Sequence, residues 1–374
     1  MTTVGTRGPR SRDAESRPAA VVLAHNHLHT RNAKTTHGLL RGPSRYHLTA
    51  VVDPLCAGHD AGGVAYGQPC GVPVVATVAE SLALTPRPSI CVIGVATPGG
   101  TLPAALRQGI LEAADAGLTL VNGLHHLLAR DPEIHRHVVA AGGTILDLRE
   151  PPPVDGLRFW TGEVRSIRAL RVAVLGTDCA QGKRTTTILL LDACRRRGLR
   201  TEMIYTGQTG WLQGIRHGFI FDATPNDFVC GELEKALLAC AADSDPDLIL
   251  LEGQSGLRNP SGPCGAEFIL AGAADGVILQ HAPARRYYEG LEELRLEIGP
   301  VTEEVELVRL LGCEVLAITL SHEGLEADAA RATCKRIAGE TGLTTALPLL
   351  DGIDDIADQL VARARAEARK RGRT

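Results

Sequence analysis

A chain of 374 residues with a formal charge of −4 has room for two domains, and it lacks the basic excess that draws a protein to nucleic acid or to an anionic membrane. Hydrophobic residues make up 44% of it but aromatics only 3%, so a core has to be built from Val, Leu, Ile and Ala. No run of about 18 apolar residues offers a membrane span, and the arginine-bearing N-terminus lacks the apolar stretch of a secretory signal. The ten cysteines form no Cys-x-x-Cys pair and fall singly in apolar runs, as Cys91 does in "SICVIGVA" and Cys313 in "LLGCEVLAI". That usage suits reduced, buried thiols in a cytoplasmic protein and offers no paired spacing for zinc.

In chain order, residues 1–18 read as a polar, disordered tail. Residues 19–150 alternate apolar strands with helices. "AAVVLAH", "HLTAVVDP", "VPVV", "SICVIGVA", "LTLVNGL" and "GTILDLR" are the strands, and "ATVAESLAL", "PAALRQGILEAADAG" and "HHLLARDPEIHRHVVAAG" are helical. Strands that are apolar along their whole length, separated by helices, predict a parallel sheet covered on both faces. "EPPPVDG" interrupts the pattern, since consecutive prolines continue neither a helix nor a central strand, and predicts a linker over 151–167. Residues 168–374 restart the alternation: strand "LRVAVLGTD", helix "GKRTTTILLLDACRRRG", strand "RTEMIY", helix "DFVCGELEKALLACAAD", then strands "PDLILLEG", "DGVILQHAP", "CEVLAITLSH" and "TTALPLL". The expected fold is α/β with two parallel-sheet domains.

Between the first strand and helix of the second half runs Gly176-Thr177-Asp178-Cys179-Ala180-Gln181-Gly182-Lys183-Arg184-Thr185-Thr186. A glycine-bounded turn into a helix leaves unpaired amides and the positive end of the helix dipole facing outward, and Lys183 adds a full charge. A phosphate is the natural occupant. Two details depart from the common phosphate loop. Five residues separate Gly176 from Gly182 where four are usual, and Arg184 stands where a magnesium-binding hydroxyl is expected. An arginine there can clamp phosphate without metal.

The five-residue gap and the strand end "LILLEGQSG" resemble dethiobiotin synthetase and related cobyrinate amidases, which implies that Glu252 helps to hold magnesium. A closer resemblance covers nearly the whole chain. The stretches "AKTTHGLLR", "VPVVATVAESL", "VIGVATPGG", "GLHHLLARDPEI", "GTDCAQGKRTTT", "TGQTGWLQG", "NDFVCGELE" and "LLEGQSGLRNP" occur in order as in a bacterial P-loop family, long labelled a domain of unknown function, that includes D-glutamate N-acetyltransferase. The resemblance implies a Rossmann-like N-terminal half and a P-loop NTPase-like C-terminal half. One segment departs from it. Where the family pattern has Glu-Gly-Gln-Gly-Ser-Leu-Ser-His-Pro, this chain has Glu-Gly-Gln-Ser-Gly-Leu-Arg-Asn-Pro, so Arg258 and Asn259 replace a serine and a histidine.

Around the phosphate loop, "TGQTGWLQG" follows a strand of the same half and offers Gln208 and Thr209 to a substrate, as Gln254 and Ser255 do after Glu252. Arg258 can turn back to clamp a carboxylate. Asp227 precedes a helix and reads either as its cap or as a catalytic or metal-binding acid. In the N-terminal half, Lys34, Thr35 and His37 lie beyond the end of the first strand, where open α/β sheets bind ligands. His25, His27 and His29 read as a polar loop there, not a metal site. No Gly-x-Gly-x-x-Gly follows that strand, so Asp53 is a weak candidate for a ribose ligand.

Two functional readings follow. One is an N-acyltransferase that passes an acyl group from acetyl-CoA to the amine of a D-glutamate-like amino acid, with the loop holding donor phosphates and Glu252 or Asp227 as base. The other is an ATP-dependent ligase or kinase acting on a small carboxylate or amine, with Mg²⁺ held by Glu252 and Asp178, Lys183 on the γ-phosphate, and Thr185 or Thr186 in place of the missing hydroxyl. Either takes a small-molecule partner, no nucleic acid and no membrane, and either is compatible with a homo-oligomer.

Overall fold

Strands apolar at every position need cover on both faces, and crossover helices supply it. The computed structural model describes residues 17–370, which form two units. Residues 1–16 of the expected tail lie outside the described residues. The first unit runs up to Glu150 and includes Trp211–Gly214; the second comprises Pro151–Gly210 and the chain from Ile215.

The first unit holds strands β1 (Ala19–Leu23), β2 (His47–Val52), β3 (Val74–Val75), β4 (Ile90–Ile93), β5 (Thr119–Asn122) and β6 (Ile145–Asp147). They pair in parallel in the order β3-β2-β1-β4-β5-β6, the doubly wound Rossmann order. The connecting helices are α1 (Lys34–Arg41), α2 (Ala61–Tyr66), α3 (Val78–Leu82), α4 (Ala104–Asp115) and α5 (Pro132–Ala140). Side chains alternate across each strand. Val21, Leu23, Cys91 and Ile93 therefore join Leu106, Ile110 and Ile134 on one face, while Ala20, Val22 and Val92 join Leu39 on the other.

The second unit holds β7 (Leu170–Gly176), α6 (Lys183–Arg196), β8 (Thr201–Tyr205), the first part of α7 (Gln208–Leu212), β9 (His217–Gly218), α8 (Asn226–Ser244), β10 (Leu248–Glu252), α9 (Ala266–Leu270), β11 (Gly276–His281), α10 (Val301–Leu310), β12 (Val315–Leu320), α11 (Ala327–Thr341), β13 (Thr344–Ala346) and α12 (Asp354–Lys370). All seven strands are parallel, in the order β13-β12-β11-β7-β10-β8-β9. One face of the sheet packs Ala173, Leu175, Ile249 and Leu251 against Leu233 and Leu237 of α8. The other packs Val172, Val174 and Leu250 against Leu190 of α6 and Ile356 and Leu360 of α12. No described helix is long and apolar enough to cross a membrane.

Two segments differ from their sequence reading. Residues 151–167, expected as a linker, are a strap on the second unit. The buried Glu234 carboxylate accepts from Thr161 N (2.7 Å), Thr161 Oγ1 (2.9 Å) and Val164 N (3.0 Å), and Trp160 Nε1 donates to Ala271 O at 3.0 Å. Prolines ended the preceding elements, but the following residues found partners on α8 that no local pattern announces. The stretch "TGQTGWLQG" is likewise not one loop. Its first part opens α7 in the second unit, while Trp211–Gly214 pack in the first. There the Arg45 guanidinium stacks 4.1 Å over the Trp211 ring, Arg45 N donates to Leu212 O (2.8 Å), and Gln213 Nε2 donates to Gly38 O (2.9 Å).

The strap passes so close to α8 that a Cβ at Gly231 would run into the Arg158 carbonyl oxygen. Gly231→Ala should therefore destabilise the protein by about 1–3 kcal/mol through overpacking, against the roughly 1 kcal/mol that alanine gains over glycine inside a helix. A denaturant titration reads the net effect, and a raised midpoint would show that the strap does not pack there.

Candidate phosphate-binding site

The sheet order brings the site together. β7 lies between β10 and β11, with Val174 in register with Glu252 and Gly176 in register with Gln280. The loop leaving β7 at Gly176 thus runs between the ends of both neighbours. Within it Ala180 (φ 50°) and Gly182 (φ 103°) adopt left-handed backbone, which turns successive amides toward one side and makes an anion-binding concavity. Only glycine takes a φ near 103° without strain, so Gly182 suits the turn into α6. No side chain caps the start of α6, so its first amides face the concavity.

Lys183 is 7% exposed and donates to two carbonyls, Asp178 O and Ser255 O, each at 2.6 Å. Burial brings its pKa down to about 8, against the opposing pull of Cys179, Asp178 and other acids. The next residue, Arg184, sets its Nη1 3.8 Å from Oε1 of Glu252. Glu252 is 2% exposed and ends β10; its Oε2 accepts from Thr206 N (3.3 Å) and its carbonyl from Thr206 Oγ1 (2.6 Å). Burial raises the Glu252 pKa, with Arg184 and the Thr206 amide pulling the other way. Behind the loop, Thr186 Oγ1 (2.6 Å) and Thr319 Oγ1 (2.7 Å) both donate to Gln280 Oε1. Thr177, Gln181 and the His281 ring form a buried hydrogen-bonded group. Burial takes the His281 pKa down to about 4, so this ring is neutral.

On the ATP-dependent reading Asp178 was expected to help hold the metal. It is instead fully buried with both oxygens engaged. Oδ1 accepts from Asn259 Nδ2 (2.7 Å), and Oδ2 accepts from Arg285 Nη1 (3.1 Å) and Glu289 N (2.8 Å). A buried carboxylate is stable only when so paired. Arg285 Nη1 also donates to Cys179 O at 2.6 Å, which holds that carbonyl on the outside of the loop. Nothing in the sequence signals Arg285, which lies 107 residues from Asp178. Asn259, which replaces the family histidine, is a structural tie: its Oδ1 accepts from Ser261 N and Oγ while its amide holds Asp178.

Arg258, expected as a carboxylate clamp, faces the start of α10 instead. It pairs with Glu303, with Glu304 at 3.0 Å, and with Pro300 O at 3.3 Å. Two acids at the head of a helix already occupy its fork, so no substrate role is assigned to it. Asp227 is exposed in the first turn of α8; Pro225 holds the N-cap position and no side chain caps the helix. Ser255 Oγ lies 3.5 Å from the Cys179 thiol and so lines the loop, whereas Gln254 Nε2 donates to Thr206 Oγ1 (2.8 Å) at the end of β8. Gln208 and Thr209 are buried in the first turn of α7, and Thr185 is half-buried on α6.

Lys34, Thr35 and His37 belong to α1 of the first unit, where His37 Nε2 lies 2.6 Å from Leu28 O. The preceding segment turns at His25 (φ 40°) and Asn26 (φ 67°), so the histidines are not on one extended face. Asp53 Oδ2 accepts from Leu28 N (2.9 Å) and its Oδ1 from Leu55 N (3.1 Å), a loop tie in the place expected for a ribose ligand. All ten cysteines are free thiols. Among the described residues no group of three or more His, Cys, Asp or Glu could hold a metal ion.

A lysine that titrates near 8 has a consequence for binding. Phosphate needs the ammonium form, so affinity for a phosphate ligand should fall as pH rises through about 8. Calorimetric titrations across the neutral-to-alkaline range read this directly. Lys183→Arg should flatten the profile, because guanidinium keeps its proton. A wild-type profile that is flat through the same range would show that the ammonium does not lose its proton near pH 8 in a way that matters to the ligand.

Three comparisons agree with this architecture. Residues 158–357 match a domain of unknown function, DUF1611_C, described as a P-loop domain, and residues 54–151 match DUF1611_N, described as Rossmann-like. The chain is 30% identical over 285 residues to a D-glutamate N-acetyltransferase of Tritonibacter scottomollicae, covering 72% of this chain and 80% of that one. It is 27% identical over 274 residues to one of a Pseudoalteromonas species, with the same coverage. The crystal structure of a DUF1611 family protein from Anabaena variabilis superposes with a TM-score of 0.83 at 28% identity, covering 92% of this chain and all of that one. A Rossmann-like unit followed by a P-loop unit, matched in sequence and in structure, makes this chain a member of the DUF1611 family.

Proposed function

We propose that the protein is an N-acyltransferase that passes an acetyl group from acetyl-CoA to the amine of a D-glutamate-like amino acid. The observation that carries this reading is the similarity, over 72% of the chain, to two D-glutamate N-acetyltransferases. The loop supports this reading by offering a cradle for phosphates. The loop amides, Lys183 and Arg184 form a cationic cradle suited to the donor's phosphates. In the reaction the free amine attacks the thioester carbonyl, the C–S bond breaks, the thiolate of CoA leaves, and the amine proton passes to a base. A long pantetheine arm separates the thioester from the phosphates. Glu252, beside the phosphate cradle and committed to Arg184, therefore acts on the cradle and not as that base.

A second reading, an ATP-dependent ligase or kinase, is favoured by one observation: an acid, Glu252, ends the strand beside the phosphate loop. A single assay separates the two. The protein is supplied with D-glutamate and either acetyl-CoA or Mg-ATP, and products are identified by mass spectrometry. The proposal expects N-acetylated amino acid from acetyl-CoA alone, and ADP or AMP formed only with the amino acid would favour the second reading. Lys183→Ala should cost about 2–5 kcal/mol of donor binding, seen as a raised KM for acetyl-CoA with the KM for the amino acid unchanged. An unchanged donor KM would remove the loop from donor binding.

A further inference from the structure

The P-loop fold implies a magnesium ion beside the bound phosphates, and the residues of this loop do not fit one. Magnesium asks for near-octahedral oxygen at about 2.0–2.1 Å, usually from the hydroxyl that follows the loop lysine and from an acid at a neighbouring strand end. Here the residue after Lys183 is Arg184, which has five donors and no acceptor. The Thr186 hydroxyl is committed to Gln280, and Thr185 lies about 100° further round the helix. Both oxygens of Asp178 are taken by Asn259, Arg285 and the Glu289 amide. That leaves Glu252, whose Oε1 faces Arg184 and whose Oε2 accepts from Thr206 N.

We propose that the loop binds its phosphate-bearing ligand without a divalent cation, the Arg184 guanidinium standing where the ion would be. This rests on the reading of the loop as a phosphate site. A dication placed against Glu252 would lie beside two cations, Lys183 and Arg184, in a buried setting where like charges repel strongly. The pair already present answers the same demand. Glu252 offsets the guanidinium charge through one nitrogen, Nη1 at 3.8 Å, and an arginine has further N–H groups with which to hold phosphate oxygens in bidentate fashion. Asp178 is held by Arg285 and Glu252 faces Arg184, while the Lys183 ammonium is met only by neutral carbonyls in its hydrogen bonds and stands beside the helix amides, which suits an anion and not a metal.

The test measures binding of two probes, acetyl-CoA and ATP, to the full chain by calorimetry in EDTA and in excess Mg²⁺. The expected result is that the probe which binds does so with a Kd equal in the two buffers to within about threefold. Arg184→Thr, which restores the hydroxyl, should bind at least about tenfold more weakly in EDTA and recover when Mg²⁺ is added, whereas Arg184→Lys should stay insensitive to Mg²⁺. Wild-type binding that appears only with Mg²⁺ overturns the inference and leaves the phosphate loop standing. Arg184→Thr binding as tightly as wild type in EDTA overturns the role of Arg184. ATP binding in EDTA without acetyl-CoA binding keeps the inference and overturns the acetyl-CoA donor. Failure of both probes in both buffers overturns the phosphate reading and the inference with it. Should Arg184→Thr fail to fold, the wild-type comparison alone decides.

Discussion

A lysine ammonium held almost out of water at the end of a strand is the constraint around which this site is organised. Removing the Lys183 charge from solvent is costly, and the protein answers with carbonyl oxygens from two segments, Asp178 in the loop and Ser255 beyond β10. Neither carbonyl carries a full negative charge. The ammonium is thus satisfied in hydrogen bonds but not in charge, and a phosphate would supply what is missing. Arg184, one residue on, is treated differently, since Glu252 answers it with a carboxylate. Two adjacent cations thus have different tasks: one is held open for the ligand, the other is braced.

The loop can hold that arrangement only if its backbone is tied from behind. Carbonyls of a nest must point away from the anion for the amides to point toward it. Arg285 draws the Cys179 carbonyl outward, and the Asp178 carboxylate, anchored by Asn259 and the Glu289 amide, fixes the loop on the same side. This explains how an aspartate and an arginine can be buried beside a phosphate loop without touching the ligand. Arg285 answers Asp178 together with Glu289 and Glu323, and these hydrogen bonds and ion pairs preorganise the glycine-bounded turn. The replacement of the family histidine by Asn259 falls within this backing and not on the ligand side.

Much of the architecture was legible from the chain. Continuous Val, Leu and Ile strands separated by helices declared parallel sheets, because a strand without a polar face has to be covered twice. The loop from Gly176 to Thr186 was readable because glycine spacing, a lysine and a helix start are local features. The sequence resemblance also pointed to both halves of the family. Less local readings fared differently. Prolines 151–153 announced an interruption, but the strap beyond them is held by Glu234 and by the Ala271 carbonyl, far along the chain. Arg258 looked available because the acids that engage it, Glu303 and Glu304, come more than forty residues later.

The sequence by itself determined the strands and helices, the Rossmann-like and P-loop character of the halves, and the presence of two adjacent cations at a phosphate-binding turn. These depend on side-chain periodicity and on backbone conformations that a few neighbouring residues set. Only the tertiary structure decided which strands flank β7, and hence that Glu252 and Gln280 meet the loop, and that Asp227 is exposed at the start of α8. It also decided that Asp178 is spent on Arg285 and Asn259, and that Arg184 is paired with Glu252. The reason is that a buried charge takes whichever partner the sheet order brings within hydrogen-bonding distance, and sheet order is a property of the whole chain's packing and not of any stretch within it.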